Sequence, residues 1–188
     1  MTLMHTGERP EMPEKFRITA ALYHQMFELG AFEGKRVELL EGEIFEMSPM
    51  LDPHIASLAR LTRELVLKLP PYAGVVSQVP IVLGENEGEP EPDFVVTRAP
   101  IAGKVKAVDI ALLLELSDST LRRDHTVKVR LYARAKIPEY WIINLNTDPT
   151  TLEVYREPDG DEYLERKVYK VGQDVAPLEF PEILIRWW

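Results

Sequence analysis

The sequence predicts a single α/β domain in which helices flank a mixed central β-sheet. Two apolar segments, residues 107–117 and 139–145, have the near-continuous aliphatic composition of strands that are buried on both faces. An amphipathic segment at 121–136 lies between them and is long enough to form a crossover helix, which lets the two strands run parallel. A length of 188 residues suits one domain with a sizeable core.

The chain ends and the composition limit the class of protein. Residues 1–15 mix charged residues with Pro and Gly and have no apolar centre, so they predict a flexible arm and not a signal peptide. The domain is then expected to span residues 16–188. The sequence has no Cys, which excludes disulfides and thiolate metal sites, and no apolar run reaches the ~18 residues of a membrane helix. We therefore expect a cytoplasmic protein with no membrane segment.

The first third of the chain predicts two helices with a hairpin between them. Thr19 can cap a helix that ends near Gly30. The run 36–47 alternates around Glu41-Gly42, which predicts a β-hairpin, and a helix is expected over 54–69 after the breaks at Pro49 and Pro53. The residues expected on the inner helix faces are Leu22, Met26 and Leu29 in the first, and Ile55, Leu58, Leu61 or Thr62, Leu65 and Leu69 in the second.

The rest of the chain predicts mostly strands. The closing pair of strands alternates around Asp159-Gly160, a good signal for a hairpin. The tail ends in Trp187-Trp188, which could fill the core or take part in a contact between subunits. The expected strands are 74–83, 93–97, 107–117, 139–145, 151–155 and 163–169.

The net charge of −9 and the pI near 5.0 count against a protein whose affinity comes from a general basic coat. They leave open a nuclease with a local basic patch, because a cluster of metal-binding carboxylates itself adds negative charge. The charge therefore lowers the expectation of tight nucleic-acid binding without excluding it.

Two carboxylates stand out by their place on predicted strands. Asp93 follows Pro92 directly and opens a short strand; an Asp that caps a turn would look the same. Glu115 lies near the end of the most apolar strand, where an unpaired carboxylate costs several kcal/mol unless it is ion-paired or bound to a metal. The alternative for Glu115 is a position just beyond the strand end, in solvent.

Lys128 is a third anomaly, on the predicted helix at 121–136. Val127, Leu131 and Ala135 define the inner face on a helical wheel, and Lys128 falls within that arc together with Asp124. The alternative is a surface ion pair between Asp124 and Lys128 at i, i+4, worth a few tenths of a kcal/mol.

Taken together, these three residues suit phosphate chemistry. Two carboxylates at strand ends can hold Mg²⁺ or Mn²⁺, which prefer oxygen ligands. The ion would activate a water and polarise a phosphate, and a nearby ammonium would balance charge in the transition state. Glu38, Glu41 or Glu43 in the early hairpin could add a further carboxylate.

Several segments with charged or aromatic residues follow one another along the chain: Val37-Glu-Leu-Leu-Glu-Gly-Glu-Ile-Phe-Glu-Met-Ser-Pro49, His54, Pro92-Asp-Phe-Val-Val96, Leu114-Glu-Leu-Ser-Asp-Ser-Thr120, Asp124, Lys128, Tyr132 and Ile137-Pro-Glu-Tyr-Trp-Ile-Ile143. Their order is similar to that of the Uma family of restriction-endonuclease-like proteins, which belongs to the PD-(D/E)XK nuclease superfamily. The resemblance covers residues 16–188, and the Glu-Tyr-Trp-Ile run after a lysine-bearing helix is its most specific element.

The resemblance implies a restriction-endonuclease-like fold and a Mg²⁺-dependent DNA endonuclease. It implies catalytic roles for Asp93, Glu115 and Lys128, with Asp93 and Glu115 as the metal ligands and Glu38 as the upstream acid. The superfamily carries its Lys two positions after the second acid, where this chain has Ser117; the family moves the Lys to the following helix, and Lys128 matches it.

Two other residues of the resemblance leave their roles open. Glu41 matches the family pattern less well than Glu38, because it is placed at the hairpin turn. His54 matches a recurrent family His, whose function could be catalytic or confined to the core or a cap. Replacing Lys128 with Ala is expected to abolish cleavage with folding largely intact, whereas Lys136, expected on the outer side of the same helix, should matter little.

Three functions follow from the sequence. The first is a metal-dependent DNA endonuclease, for which a homodimer is expected because enzymes of this fold often pair to cut two strands. The second is a catalytically inactive relative that serves as a binding or assembly module, which the acidic charge favours. The third is a carboxylate-pair hydrolase of a small substrate, for which the chain has no aromatic sugar-binding run.

Overall fold

The structure is a computed structural model that describes residues 15–84 and 87–187, so nearly all of the arm predicted at 1–15 lies outside the described residues. Within these residues the chain forms four α-helices and thirteen short strands. The helices are α1 (Ala20–Glu28), α2 (Asp52–Lys68), α3 (Leu121–Arg123) and α4 (Val129–Arg134), and a π-helical turn (Asp124–Lys128) joins α3 to α4. The strands are β1 (Val37–Leu40), β2 (Glu43–Glu46), β3 (Gly74–Val76), β4 (Ile81–Val82), β5 (Gly88–Glu89), β6 (Phe94–Thr97), β7 (Val105–Lys106), β8 (Ile110–Ser117), β9 (Glu139–Asn144), β10 (Thr151–Asp159), β11 (Glu162–Tyr169), β12 (Asp174–Val175) and β13 (Ile185–Arg186).

The largest sheet has six strands in the order β11-β10-β9-β8-β6-β3. β8 and β9 are parallel, and the other neighbours are antiparallel, so the sheet is mixed as predicted. The segment α3–α4 connects β8 to β9 as the crossover. All eight residues of β8 are buried, including Ile110, Leu112 and Leu114, which confirms the prediction of a central strand.

Apolar clusters cover both faces of this sheet. On one face Leu61 and Leu65 of α2 pack in a cluster with Trp141 of β9. On the other face Leu131 of α4 packs in a cluster with Tyr140 of β9. The predicted arrangement of helices on a mixed sheet is therefore confirmed.

A smaller sheet, in the order β2-β1-β5, holds the predicted hairpin. Its turn is made by Glu41 and Gly42, with φ of 48° and 76°, the left-handed conformation that a two-residue hairpin turn requires. α1 packs beside it, capped at Thr19 as predicted, and Tyr23 donates a hydrogen bond from its hydroxyl to the Val37 carbonyl at 2.8 Å. The hairpin is thereby held in front of the larger sheet.

The prediction of one continuous strand over residues 74–83 is wrong. This segment divides into β3, in the large sheet, and β4, which pairs in parallel with β7. Gln78 has a φ of 53°, and its backbone N–H bonds to the Pro92 carbonyl at 3.2 Å, so the chain bends away here. Pro80 then lacks the N–H that a continuing strand would need.

Helix boundaries and faces also differ from the predictions. α1 buries Tyr23, whereas Leu29 is 85% exposed because it lies beyond the last turn. α2 begins at Asp52, since Pro53 fits the first helical turn and does not break the chain, and Ile55 is half-exposed. The helix predicted at 121–136 ends at Arg134, and Lys136 lies after it with a φ of 59°.

The closing segments contribute to the core. β10 and β11 form the predicted hairpin and extend up to its turn. β12 pairs with β13, and the Trp187 side chain is 2% exposed in the cluster that holds α2, so it fills the core. Trp188 lies outside the described residues. No helix among residues 15–84 and 87–187 is both long and apolar enough to cross a membrane.

Candidate active site

Strand pairing puts Asp93 and Glu115 side by side. β6 and β8 are antiparallel with Phe94 opposite Leu114, so Asp93, one residue earlier, faces Glu115, one residue later. Residues that face each other on antiparallel strands have side chains on the same face of the sheet. Both carboxylates line one small cleft, which Glu38 of β1 and Lys128 of the π-helical turn also line.

The Asp93 carboxylate is fixed by two hydrogen bonds. The Leu116 backbone N–H donates to Oδ2 at 2.8 Å, and Nε2 of His54, from the first turn of α2, lies 3.1 Å from Oδ1. This hydrogen bond with Asp93 raises the pKa of His54, with burial acting in the opposite direction. Asp93 is therefore held toward β8, and His54 joins the cleft as its neighbour.

Glu115 is buried, with 5% of its surface exposed, so the alternative of a carboxylate in solvent is wrong. Its Oε1 accepts hydrogen bonds from Nζ of Lys128 at 2.8 Å and from the hydroxyl of Tyr132 at 3.1 Å. Burial raises the pKa of Glu115 well above the usual range, and the Lys128 charge opposes that rise.

Lys128 is 3% exposed and surrounded by acids. Besides Glu115, its Nζ lies 3.4 Å from Oε2 of Glu38 and 3.9 Å from Oδ1 of Asp124. Burial alone would lower the pKa of Lys128, but the three negative charges outweigh it and raise the pKa, so the side chain is an ammonium. The alternative of an Asp124–Lys128 pair on the surface is wrong, because Asp124 is fully buried as well.

Asp124 and Lys128, four residues apart, lie on the same buried side of the π-helical turn. The Val129 N–H bonds to the Asp124 carbonyl, five residues back, which inserts one extra residue into the turn. Oδ2 of Asp124 accepts hydrogen bonds from the hydroxyls of Ser117 and Thr120, each at 2.6 Å. Ser117, two residues after Glu115, thus anchors this turn.

Glu38 connects the small sheet to the cleft. Its Oε2 accepts a hydrogen bond from the Glu91 backbone N–H at 3.3 Å, and its Oε1 lies 3.7 Å from Nη2 of Arg123. Oε1 is buried without a hydrogen-bond partner among the described residues. The two other hairpin candidates point elsewhere: Glu41 pairs with Arg130, and Glu43 pairs with Lys15.

The cleft has the donors and the size for a hard cation. Its volume of about 50 Å³ exceeds the roughly 10–15 Å³ that one water needs. Among residues 15–84 and 87–187 no three His, Asp or Glu side chains are grouped to hold a metal. Asp93 and Glu115, the two ligands that the resemblance implies, both line the cleft and could hold an ion there. Two carboxylates fit Mg²⁺, which usually keeps several waters and binds substrate phosphate. Glu38 also lines the cleft, and its Oε1 has no hydrogen-bond partner among the described residues.

Several residues of the site carried little signal in the sequence. Tyr132 lies on the Lys128 side of the helical wheel, which was the one clue to its place next to Glu115. Ser117 and Thr120 are common polar residues whose role depends on the buried Asp124. No pattern in the sequence pointed to Arg123, whose Nη2 lies 3.7 Å from Oε1 of Glu38.

Comparison with known proteins agrees with this architecture. The chain is similar to the crystal structure of a "putative nuclease belonging to DUF820" from Anabaena variabilis ATCC 29413, with 16% sequence identity and a TM-score of 0.63 over 81% of this chain and 87% of that one. At this identity the likeness shows the fold, and the predicted restriction-endonuclease-like class is confirmed. No curated protein matches the chain. Residues 20–186 match the Uma2 family, described as "Putative restriction endonuclease". As the resemblance of its motifs predicted, the chain belongs to the Uma2 family.

Proposed function

We propose that the chain is a divalent-metal-dependent DNA endonuclease that hydrolyses phosphodiester bonds. Asp93 and Glu115 hold Mg²⁺ or Mn²⁺. Lys128, on the helix that follows β8, stabilises the attacked phosphate, and Glu38 is the upstream acid that orients the Lys128 side chain. The observation that carries the proposal is the reach of Nζ of Lys128 to Oε1 of Glu115 at 2.8 Å, in a cleft that Asp93 also lines. The family description and the nuclease of similar fold support the same activity.

The bound ion supplies an activated water and neutralises charge on the phosphate oxygens. The protein supplies orientation: Asp93 is held by Leu116 and His54, and Glu115 is held by hydrogen bonds from Lys128 and Tyr132 to its Oε1, so both carboxylates would be positioned to hold an ion. Because Lys128 stays charged, it stabilises the negative charge that develops on the attacked phosphate and does not act as a base.

The test is cleavage of plasmid and oligonucleotide DNA in Mg²⁺, Mn²⁺ or EDTA. We expect metal-dependent cutting by the wild type and a loss of at least about 100-fold in rate for Asp93→Asn and Glu115→Gln. Both substitutions keep the size of the side chain, and the amide oxygen that Glu115→Gln introduces still accepts hydrogen bonds from Lys128 and Tyr132. Isothermal titration with Mn²⁺ should show loss of the ion site in the same two variants.

Lys104→Ala is the control for a change in charge, because Lys104 is exposed and lies outside the cleft. It should cut at the wild-type rate. Cleavage that survives EDTA, or that Glu115→Gln retains, would mean that the nuclease activity comes from another site or another protein.

A second candidate function is a catalytically inactive relative that serves as a binding or assembly module. The full engagement of Lys128 with Glu115, Glu38 and Asp124 favours it, because an ion network of this kind can also be purely structural. So does the net charge of −9. This candidate is preferred if the folded wild type neither cuts any DNA form nor binds Mn²⁺. The homodimer and the cytoplasmic location stay predictions.

A further inference from the structure

A second depression continues from the cleft, and we name it the side groove. Cleft and side groove share four wall residues, Ser48, Ser119, Thr120 and Arg123, so the two depressions adjoin each other. The side groove has a volume of about 390 Å³, against about 50 Å³ for the cleft. A ligand too large for the cleft can therefore have one group in the cleft and the remainder in the side groove.

The two depressions differ in charge. The side groove runs between the hairpin, which contributes Phe45, and the helix, which contributes Arg122, Thr126 and Val127. Its wall contains two arginines, four hydroxyl side chains and no acid. The acids that line the cleft are Glu38, Glu91, Asp93, Glu115 and Asp118. In a chain with a net charge of −9, a depression lined by arginine without acid is suited to an anionic ligand.

Of the two arginines of the side groove, Arg122 is available for an anion, whereas Nη2 of Arg123 lies 3.7 Å from Oε1 of Glu38. Arg122 is exposed, and within the described part of the chain no carboxylate lies at ion-pair distance from it. On the same helix, by contrast, Arg130 and Arg134 are engaged by Glu41. The Arg123 guanidinium lies 5.4 Å from the centre of the Phe45 ring, and its Nε, among the described residues, has no hydrogen-bond partner.

We propose that the side groove binds the phosphodiester backbone of the nucleic-acid strand whose scissile phosphate lies in the cleft. The inference rests on the proposed nuclease function, and it states on which side of the cleft the strand continues. Arg122 contacts a phosphate that flanks the scissile one, the hydroxyls of Ser119 and Thr126 line the path, and Phe45 packs against a sugar. These contacts read the backbone and not the bases, so they add affinity without sequence preference.

The test measures binding in the absence of cleavage. A fluorescent single-stranded oligonucleotide is titrated in Ca²⁺, and anisotropy gives Kd between about 50 and about 200 mM NaCl. We expect Arg122→Ala to raise Kd about fivefold and to reduce the slope of log Kd against log salt by about 0.7, the loss of one phosphate contact on a single strand. Arg122→Lys should keep the slope. Arg63→Ala, an exposed arginine on α2 outside the groove, should bind as the wild type does.

The outcomes separate this inference from the nuclease proposal. A wild type that does not bind DNA, or an Arg122→Ala variant that equals the wild type in Kd and slope, overturns the side groove as a binding site. Equal losses of DNA affinity in Arg122→Ala and Arg63→Ala also overturn the side groove as a binding site, since they indicate a general effect of charge. Arg122-dependent binding by a protein that never cuts would refute the nuclease and leave the side groove in place.

Discussion

At the scale of single residues, the buried carboxylates depend on one ammonium. Glu115, Glu38 and Asp124 are each at most 5% exposed, and Nζ of Lys128 is within 4.0 Å of all three. Removing one partner of a buried ion network leaves the others desolvated and unpaired, which costs more than the network contributes to stability. Lys128 is therefore a structural residue as well as a candidate catalytic one.

Replacing Lys128 with Ala should lower the free energy of unfolding by about 3–5 kcal/mol in metal-free protein. The reason is that three buried carboxylates lose this cation, although Glu38 keeps Arg123 at 3.7 Å. The sequence alone led to a different expectation, that the variant folds largely as the wild type does, because it treated Lys128 as poised for chemistry alone. Urea unfolding followed by circular dichroism measures the difference.

The double variant Lys128→Met, Glu115→Gln is the matched control, because it removes one charge of each sign and keeps side chains of similar size. It should recover part of the lost stability, since fewer buried charges remain unpaired. If Lys128→Ala unfolds at the same urea concentration as the wild type, the Lys128 ammonium does not stabilise the three buried carboxylates.

The sequence predicted the positions of several site residues, but it could not predict contacts between segments that are distant along the chain. The inward position of Lys128 follows from helical periodicity, and the place of Glu115 follows from the apolar run around it. The contact between Lys128 and Glu38 could not be derived from periodicity, because the two residues belong to distant segments of the chain. The residue pattern left Glu38, Glu41 and Glu43 as alternatives, and only the resemblance to a known family singled out Glu38.

At the scale of elements, the pairing of β5 with β1 determines where Glu38 lies. Leu40 of β1 faces Gly88 of β5 and Leu39 faces Glu89, and beyond them the Glu91 N–H donates a hydrogen bond to the Glu38 side chain. Gly88 has a φ of 110°, and a Cβ there would collide with the Leu39 carbonyl oxygen. The small sheet can close on this side only with glycine at that position.

Gly88→Ala should therefore destabilise the protein by about 3 kcal/mol, from backbone strain and from the forced separation of β1 and β5. The amides of β1 should exchange with deuterium faster than in the wild type. Urea unfolding and hydrogen exchange measure the two effects.

Gly160→Ala is the control that measures how much of this destabilisation comes from backbone strain alone. Gly160 has a φ of 56°, and a Cβ added there would have no neighbouring atom within 4 Å, so its substitution costs strain alone, about 1 kcal/mol. Equal losses in Gly88→Ala and Gly160→Ala would mean that the close approach of β5 to β1 is unimportant.

The elements that sequence patterns predicted well are those set by local periodicity. β8, α2 and the hairpin at Glu41-Gly42 are examples. The division of residues 74–83 depends on a backbone bond from Gln78 to Pro92, and the π-helical turn depends on anchors at Ser117 and Thr120. Such features arise from contacts between distant segments, and a pattern within one segment does not contain them.

At the scale of the whole molecule, the end of the described chain completes the core. Trp187 packs in the same cluster as Leu61 of α2 and Trp141 of β9. Its indole N–H donates to the Thr150 carbonyl at 3.2 Å. The tail therefore connects the helix layer to the central sheet.

Trp187→Ala should lower the free energy of unfolding by about 3–5 kcal/mol, because it leaves a large cavity in the core. Leu184→Ala, on an exposed neighbour of β13, should change it by no more than about 0.5 kcal/mol. Urea unfolding gives these values, and analytical ultracentrifugation gives the mass, which also tests the predicted homodimer. A Trp187→Ala variant that keeps its stability and loses a dimer would place this side chain in a subunit contact.

Lys128 lies on a helix, whereas the two proposed metal ligands, Asp93 and Glu115, are positioned by strands. The spacing of the ligands and the placement of the ammonium therefore depend on different parts of the fold. The distance between Asp93 and Glu115 depends on the ladder of hydrogen bonds between β6 and β8. The distance from Lys128 to Glu115 depends on how the helix is seated on that ladder. A small tilt of the helix would leave an intact ion site without its ammonium, a form that retains metal and is inactive.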